Sequence, residues 1–328
     1  MPNVDNITDS KTARLHDNTT LNSEQSGKQP VEQSKNIKLA KFAGFCYGVK
    51  RAVETAKKLK AENPDKNVFV LGELIHNAHV IAELENLGIK TLTEIPEKGE
   101  GICVIRSHGE SPQVIEKIQK AGFEIVDLTC NDVKKVQQKA IELAKDGYFV
   151  VIVGKSEHPE VIAIKANAQM YSDNVVVAVS PEQLKEYEDK IKAHKRVGVV
   201  VQTTQRLENL NEIVKYLTSI AKEIHIANTI CQSTSMRQAE ARELAKESDL
   251  VIVVGSKKSA NTTHLAEILK DITKTIHIEN DLELENYKDL IEKSQKISIT
   301  AGASTPQDVI EKVLSSLRGE LCSTWQSN

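Results

Sequence analysis

The chain has 328 residues, Lys+Arg 43 against Asp+Glu 46, and a formal charge of -3. That balance leaves no polybasic footprint for nucleic acid or for an anionic membrane surface. Its most apolar runs, at 149–153, 197–201 and 250–254, are about five residues long against the roughly 20 of a spanning helix. Aromatics at 4% beside abundant Val, Ile, Leu and Ala make an all-β sandwich improbable and suit alternating buried parallel strands and helices.

In chain order, residues 1–36 come first, rich in Asn, Ser, Thr and Gln. They have too little apolar surface to offset the entropy of ordering them and are expected to form a disordered polar tail. Asp5, Asp9, Asp17, Glu24 and Glu32 argue against a transit peptide, which is poor in acids. From about residue 37 a single unit recurs: a β-branched apolar run, a loop of small or polar residues, then a helix-period segment. Strands are predicted at 36–40, 67–71, 101–105, 124–128, 149–153, 174–179, 197–201, 223–226, 250–254, 275–278 and 296–299. The clearest helices are 132–146, where Val133, Val136, Ala140, Leu143 and Ala144 share one apolar face, and 236–247. VIVGKSEHPEV (151–161) resembles VIVVGSKKSAN (251–261), and both follow a cysteine-headed helix. The expected fold is therefore α/β with three similar parallel-sheet units, at 37–129 with Cys46, 130–229 with Cys130 and 230–318 with Cys231. Closure of the chain back on the first unit is left open, and 319–328 is read as a C-terminal tail.

Five cysteines, an odd number spread over the chain, disfavour a secreted disulfide framework and fit a reducing cytoplasm. Cys46, Cys130 and Cys231 each end an apolar run and open a helix, where the N-terminus favours the thiolate that binds metal. Cys103 lies within GICVI and reads as core filler; Cys322 lies in the polar tail and reads as a bystander. The wide spacing excludes a zinc ribbon, a CxxC redox pair and a ferredoxin cysteine cluster. One thiolate per unit suits a [4Fe–4S] cluster with three protein ligands and one open iron. A three-cysteine zinc site remains the competing reading.

His76, His108 and His158 each follow an apolar run. Thr203, Thr204, Ser259, Asn261 and Ser304 sit in comparable loops. Strand-to-helix loops of this kind present N–H groups and a helix dipole to an anion, so a phosphate or diphosphate is the expected guest. No Walker A or GxGxxG motif points to a nucleotide. Glu160, two residues after His158, is the best-placed proton donor to a departing hydroxyl.

The ordered segments GFCYGVKRAV, LIHNAHVIAELENLG, SHGESPQV, DLTCNDVKKV, HPEV, QTTQ, ICQSTSMRQ, VVGSKKSANTTHLAEI and TAGASTPQDVI, spanning about 37–318, closely resemble the 4-hydroxy-3-methylbut-2-enyl diphosphate reductases of the methylerythritol phosphate route to isoprenoids. The resemblance implies three α/β units in a trefoil around a central [4Fe–4S] cluster held by Cys46, Cys130 and Cys231. It places diphosphate-binding residues at His76, His108, His158, Ser259, Asn261 and Ser304. The hydroxyl-contacting threonine falls at Thr203 and the proton-delivering acid at Glu160. Where the family commonly reads Ser-Ser-Asn, this chain has Ser259-Ala260-Asn261, so a side-chain hydroxyl is missing there. The implied reaction is a reductive dehydroxylation giving isopentenyl and dimethylallyl diphosphate, with a flavodoxin or ferredoxin as electron donor and with closure of the three units over the ligand. Rival readings are an iron–sulfur hydro-lyase, which needs no reductant, a non-catalytic iron–sulfur protein, and a zinc hydrolase.

Overall fold

In the computed structural model, residues 35–319 are described. The tails expected at 1–36 and 319–328 fall almost wholly outside the described residues, as does Cys322. Twelve strands run in chain order: β1 (Asn36–Leu39), β2 (Val68–Leu71), β3 (Ile89–Leu92), β4 (Ile102–Ile105), β5 (Glu124–Asp127), β6 (Phe149–Val153), β7 (Val175–Ala178), β8 (Arg196–Val201), β9 (Glu223–Ile226), β10 (Leu250–Val254), β11 (Lys274–Ile278) and β12 (Lys296–Ala301). They form three four-stranded sheets ordered β3-β2-β4-β5, β7-β6-β8-β9 and β1-β12-β10-β11, parallel throughout. The α/β class and the three-sheet plan are those expected.

The most apolar inner strands are those whose two faces are both covered by helices. β4, β6 and β10 are buried at every position. β3, absent from the predicted strands, is an edge strand. In Ile89-Lys90-Thr91-Leu92 only Ile89 is buried, so no continuous apolar run marks it. The helix predicted from Met236 begins earlier, at Gln232, because Cys231 caps it. The polar stretch Gln232–Ser235 carries no apolar period.

β1 pairs with β12, with Ile37 opposite Ile297 and Leu39 opposite Ile299. The strand assigned from sequence to the first unit thus completes the sheet of the third. In each sheet the edge strand beside the second central strand, β5, β9 or β1, leads into a cysteine, and the helix after that cysteine packs elsewhere. Val136, Ala140 and Leu143, after Cys130, pack with Val150 and Ile152 of β6. Ala52, Val53 and Ala56, after Cys46, pack with Val68 and Val70 of β2. Cys46 and Cys130 thus mark junctions between one sheet and the next.

Phe149 is among the largest fully buried side chains and packs with Val197, Leu210 and Ile213. Phe149→Ala is expected to cost about 3–5 kcal/mol of stability by transfer and cavity effects, read as a lowered midpoint in chemical denaturation.

Candidate active site

The three cysteines stand in one repeated backbone arrangement. Each donates its N–H to the loop beyond the neighbouring central strand: Cys46 to Ala303 O at 3.1 Å, Cys130 to Ser107 O at 3.0 Å and Cys231 to Thr203 O at 3.1 Å. Each occupies the N-cap of a helix, at Tyr47–Glu62, Asn131–Lys145 and Gln232–Lys246. The Cys46 sulfur accepts from Val49 N at 3.5 Å and the Cys231 sulfur from Thr234 N at 3.4 Å. These sulfurs, like that of Cys103, are free thiols. Gly48 lies against two of them: a Cβ there would sit 2.7 Å from the Cys130 sulfur and 3.9 Å from that of Cys46.

The expectation that helix ends lower the thiol pKa needs correction. Burial pushes the Cys130 and Cys231 thiols up, outweighing the helix-end N–H groups that favour the thiolate. Cys103 is fully buried, and burial, with Glu110 adding to it, pushes its thiol up to about 11.

All the predicted site residues line one cavity of about 100 Å³: the three cysteines, the three histidines, Glu160, Thr203, Ser259, Asn261 and Ser304. Ala260 lines it too, contributing main chain where a hydroxyl is missing. A larger groove of about 890 Å³ beside β7, lined by Lys155, Lys165 and Lys190, contains none of the cysteines or histidines. The His76 and His108 rings stack at 4.7 Å, and His158 stands nearly perpendicular to both, at 5.9 and 5.3 Å. Their ligand atoms all lie within 4.8 Å of one another, and among the described residues they form the one such group. His158 Nδ1 accepts from Glu160 N at 3.2 Å, which leaves its Nε2 to carry the proton in the neutral ring. Burial, then the charges of His76 and its neighbours, hold His158 down to about 4; burial likewise holds His108 well below the ordinary range. His108 Nδ1 and Asn261 Nδ2 are buried with no partner, and Ser304 Oγ donates to Ser259 Oγ at 3.3 Å. Unmatched polar groups facing a common cavity are costly until a ligand engages them.

Glu160 is 1% exposed at the first turn of the helix Pro159–Gln169. Thr203 N donates to its Oε1 at 2.7 Å and Thr203 Oγ1 to its Oε2 at 2.9 Å. Burial nevertheless raises the carboxyl to about 7, because two hydrogen bonds offset only part of the desolvation of the charge. Near neutral pH the pair holds a transferable proton next to the cavity.

Known proteins match this arrangement over nearly its whole length. The family model described as LytB protein matches residues 37–318. The chain belongs to the LytB protein family. Among its relatives, the 4-hydroxy-3-methylbut-2-enyl diphosphate reductase of Pelobacter propionicus is 40% identical over 277 residues, covering 84% of this chain and 95% of that protein. The reductase of the same name from Aquifex aeolicus is 39% identical over 293 residues, 88% of this chain and 97% of that protein. A solved structure of (E)-4-hydroxy-3-methyl-but-2-enyl diphosphate reductase, described as the terminal enzyme of the non-mevalonate pathway, is 38% identical with a TM-score of 0.64. It covers 88% of this chain and 100% of its own. The Plasmodium falciparum reductase structure is 26% identical with a TM-score of 0.78, over 86% and 88% of the two chains.

In this member of the LytB protein family, three side chains that sequence reasoning passed over buttress the cavity. Thr234 Oγ1 lies 3.1 Å from the Cys231 sulfur and 3.5 Å from Asn261 Oδ1, linking the thiol to the donor-rich end. Its place three residues after an N-cap cysteine was the available signal. Glu73 Oε2 lies 2.9 Å from His76 Nδ1 and orients that ring, an i, i+3 pairing visible in ELIH. His264 Nδ1 meets Thr204 O at 2.9 Å and braces the Thr203–Thr204 loop. Nothing local in sequence predicts that contact, since 60 residues separate the partners.

A carboxyl raised from its ordinary value of 4.5 to about 7 contributes stability that is full below the lower value and lost as pH climbs through the upper one. Glu160→Gln mimics the protonated form. The metal-free variant is expected to exceed the natural chain in stability by on the order of 3 kcal/mol at pH 8, and to match it below about pH 4.5. Denaturation midpoints at the two pH values check this; equal midpoints at pH 8 would refute it.

Proposed function

We propose that this chain catalyses the reductive removal of the hydroxyl group of 4-hydroxy-3-methylbut-2-enyl diphosphate, giving isopentenyl and dimethylallyl diphosphate in the cytoplasm. The relatives are named for this substrate. The observation that carries the reading is the cavity itself: three thiols at helix N-caps, a proton-holding Glu160–Thr203 pair, and three histidines with Ser259, Asn261 and Ser304 all face one space. Free thiols at Cys46, Cys103, Cys130 and Cys231 agree with a reducing compartment. No helix among the described residues is long and apolar enough to cross a membrane.

Cys46, Cys130 and Cys231 are the residues to hold a [4Fe–4S] cluster. Held by these three thiols, such a cluster would keep one iron free for a further ligand. Among the described residues only the histidines form a compact single-ion group, which favours a larger, polynuclear guest at the cysteines. Gly48 keeps room for that guest, since any side chain would press on the Cys130 sulfur. When bound, the cluster supplies a Lewis-acidic iron and a path for electrons delivered one at a time by a flavodoxin or ferredoxin.

The remaining chemistry belongs to the chain. The balance is one allylic alcohol, two electrons and two protons in, and one alkene and one water out. Neutral His108 and His158 can donate N–H bonds to a diphosphate without a standing charge to desolvate, and an arriving anion makes protonation of the rings easier. Asn261 Nδ2 and the Ser259–Ser304 hydroxyls add donors, and together these groups fix which end of the substrate reaches the thiols. Protonated Glu160 can give its proton to Thr203 Oγ1, 2.9 Å away, while that hydroxyl passes its own to the departing oxygen. Burial of the pair keeps bulk water from short-circuiting the transfer.

Oxygen-free turnover of the cluster-loaded protein with this substrate and a reduced viologen tests the reading. Both five-carbon diphosphates should form, with the rate falling as pH rises past about 7, where Glu160 loses its proton. Glu160→Gln should lower kcat by about 10²–10⁴ and abolish that limb. Consumption of substrate without reductant would instead indicate a hydro-lyase, and no reaction with four irons bound a non-catalytic role. Cys130→Ser should lose bound iron, whereas Cys103→Ser should retain it; equal loss in both would refute the ligand assignment.

A further inference from the structure

The helix Gln232–Lys246 carries a buried cation behind the thiols. Arg237 is 3% exposed, and its guanidinium is spent on main-chain carbonyls: Nη1 donates to Ala301 O at 2.7 Å and to Phe42 O, and Nη2 to Gly44 O at 2.9 Å. Its Nε is buried without a partner. Phe42 and Gly44 belong to the loop that delivers Cys46, and Ala301 ends β12. Three residues on, Glu240 grips the same loop, accepting from Lys41 N at 2.8 Å and Phe42 N at 2.9 Å. Among the described residues no carboxylate forms an ion pair with Arg237. The groups whose charge acts on it are Cys46, Cys231 and Glu240.

A guanidinium stays charged at any pH a folded protein meets. Burying one against carbonyls alone is unfavourable unless an anion lies nearby. Here the nearby anions are the cysteine sulfurs once they bind metal as thiolates. Electrostatics inside a protein are weakly screened, so a fixed cation there stabilises the more negative, reduced state of any redox group the sulfurs hold. Carbonyl anchoring at three points prevents the side chain from swinging away to water.

Building on the iron–sulfur reading above, we infer that Arg237 is the fixed counter-charge of the thiolate-held cluster: it raises the cluster's reduction potential while pinning the loop that delivers Cys46. It is a positioning residue, acting through the cluster and not on the substrate. Removing the charge makes reduction harder while leaving the three ligands in place. Removing the Glu240 carboxylate, the side-chain anion on the same helix whose charge acts on Arg237, does the opposite.

The test is a redox titration of the full-length, anaerobically cluster-loaded protein, followed by electron paramagnetic resonance, with iron per chain measured on each sample. Arg237→Gln should shift the midpoint potential negative at unchanged iron content, Arg237→Lys should stay near the natural chain, and Glu240→Gln should shift it positive. A natural-chain potential in Arg237→Gln at full iron content would overturn the inference. So would negative shifts in both the Arg237→Gln and Glu240→Gln variants, which would indicate loop displacement and not charge. If Arg237→Gln fails to fold or to hold iron, Glu240→Gln carries the test, a positive shift supporting the inference and a null or negative one overturning it. Absence of an iron–sulfur group from the natural chain would defeat the functional reading with it, whereas a cluster whose potential ignores both charges defeats this inference alone.

Discussion

Everything at the centre of this molecule depends on one repeated hydrogen bond: a cysteine N–H held by the carbonyl of a loop that leaves the neighbouring strand. It occurs at Cys46–Ala303, Cys130–Ser107 and Cys231–Thr203, with lengths between 3.0 and 3.1 Å. The bond ties the start of a helix to the carboxyl end of a parallel sheet, where open α/β folds present their binding residues. The same loops carry site residues. Ser107 precedes His108, Thr203 is itself the partner of Glu160, and Ala303 precedes Ser304. One backbone contact therefore sets thiol and donor groups side by side three times over.

Closure of the chain follows from the same repeat. The third sheet takes its fourth strand from the beginning of the described chain, β1, so that the helix behind Cys46 is delivered as the other two are. Without that pairing the first cysteine would have no sheet to leave from. The helix cores then bury their apolar faces on the following sheet, so folding of the units and assembly of the thiol set are linked.

Burial governs the electrostatics around the cavity more than helix ends do. It raises Glu160 to about 7, holds His158 to about 4 and pushes the Cys130 and Cys231 thiols up, in each case favouring the neutral group. Arg237, which cannot respond by losing a proton, is left as the fixed charge. A cavity whose His108, His158, Glu160, Cys130 and Cys231 are held toward their neutral forms, with the Arg237 guanidinium behind the thiols, is receptive to an anionic ligand and to electrons, the two things the proposed reaction brings in.

Much of this was legible from residue order. Continuous apolar runs such as Phe149–Val153 and Leu250–Val254 specify buried parallel strands, because strands covered on both faces leave no polar alternation. The recurrence of a cysteine, a histidine or a hydroxyl after such runs marked the loops that line the cavity, because chemistry in this fold class sits at strand ends. What the chain order could not express were relations between distant segments and the dielectric they create. The edge strand β3 is defined by its partner β2 and not by its own polar residues, and β1 belongs with β12, some 260 residues away. Helix-end position suggested easier thiolate formation, yet neighbours remote in sequence partly bury Cys130 and Cys231 and reverse it. Secondary structure and the identity of the chemical groups are local properties that the sequence by itself determined. Partner strands, desolvation and the meeting of Arg237 with the Cys46 loop are set by through-space distance, and only the tertiary structure decided them.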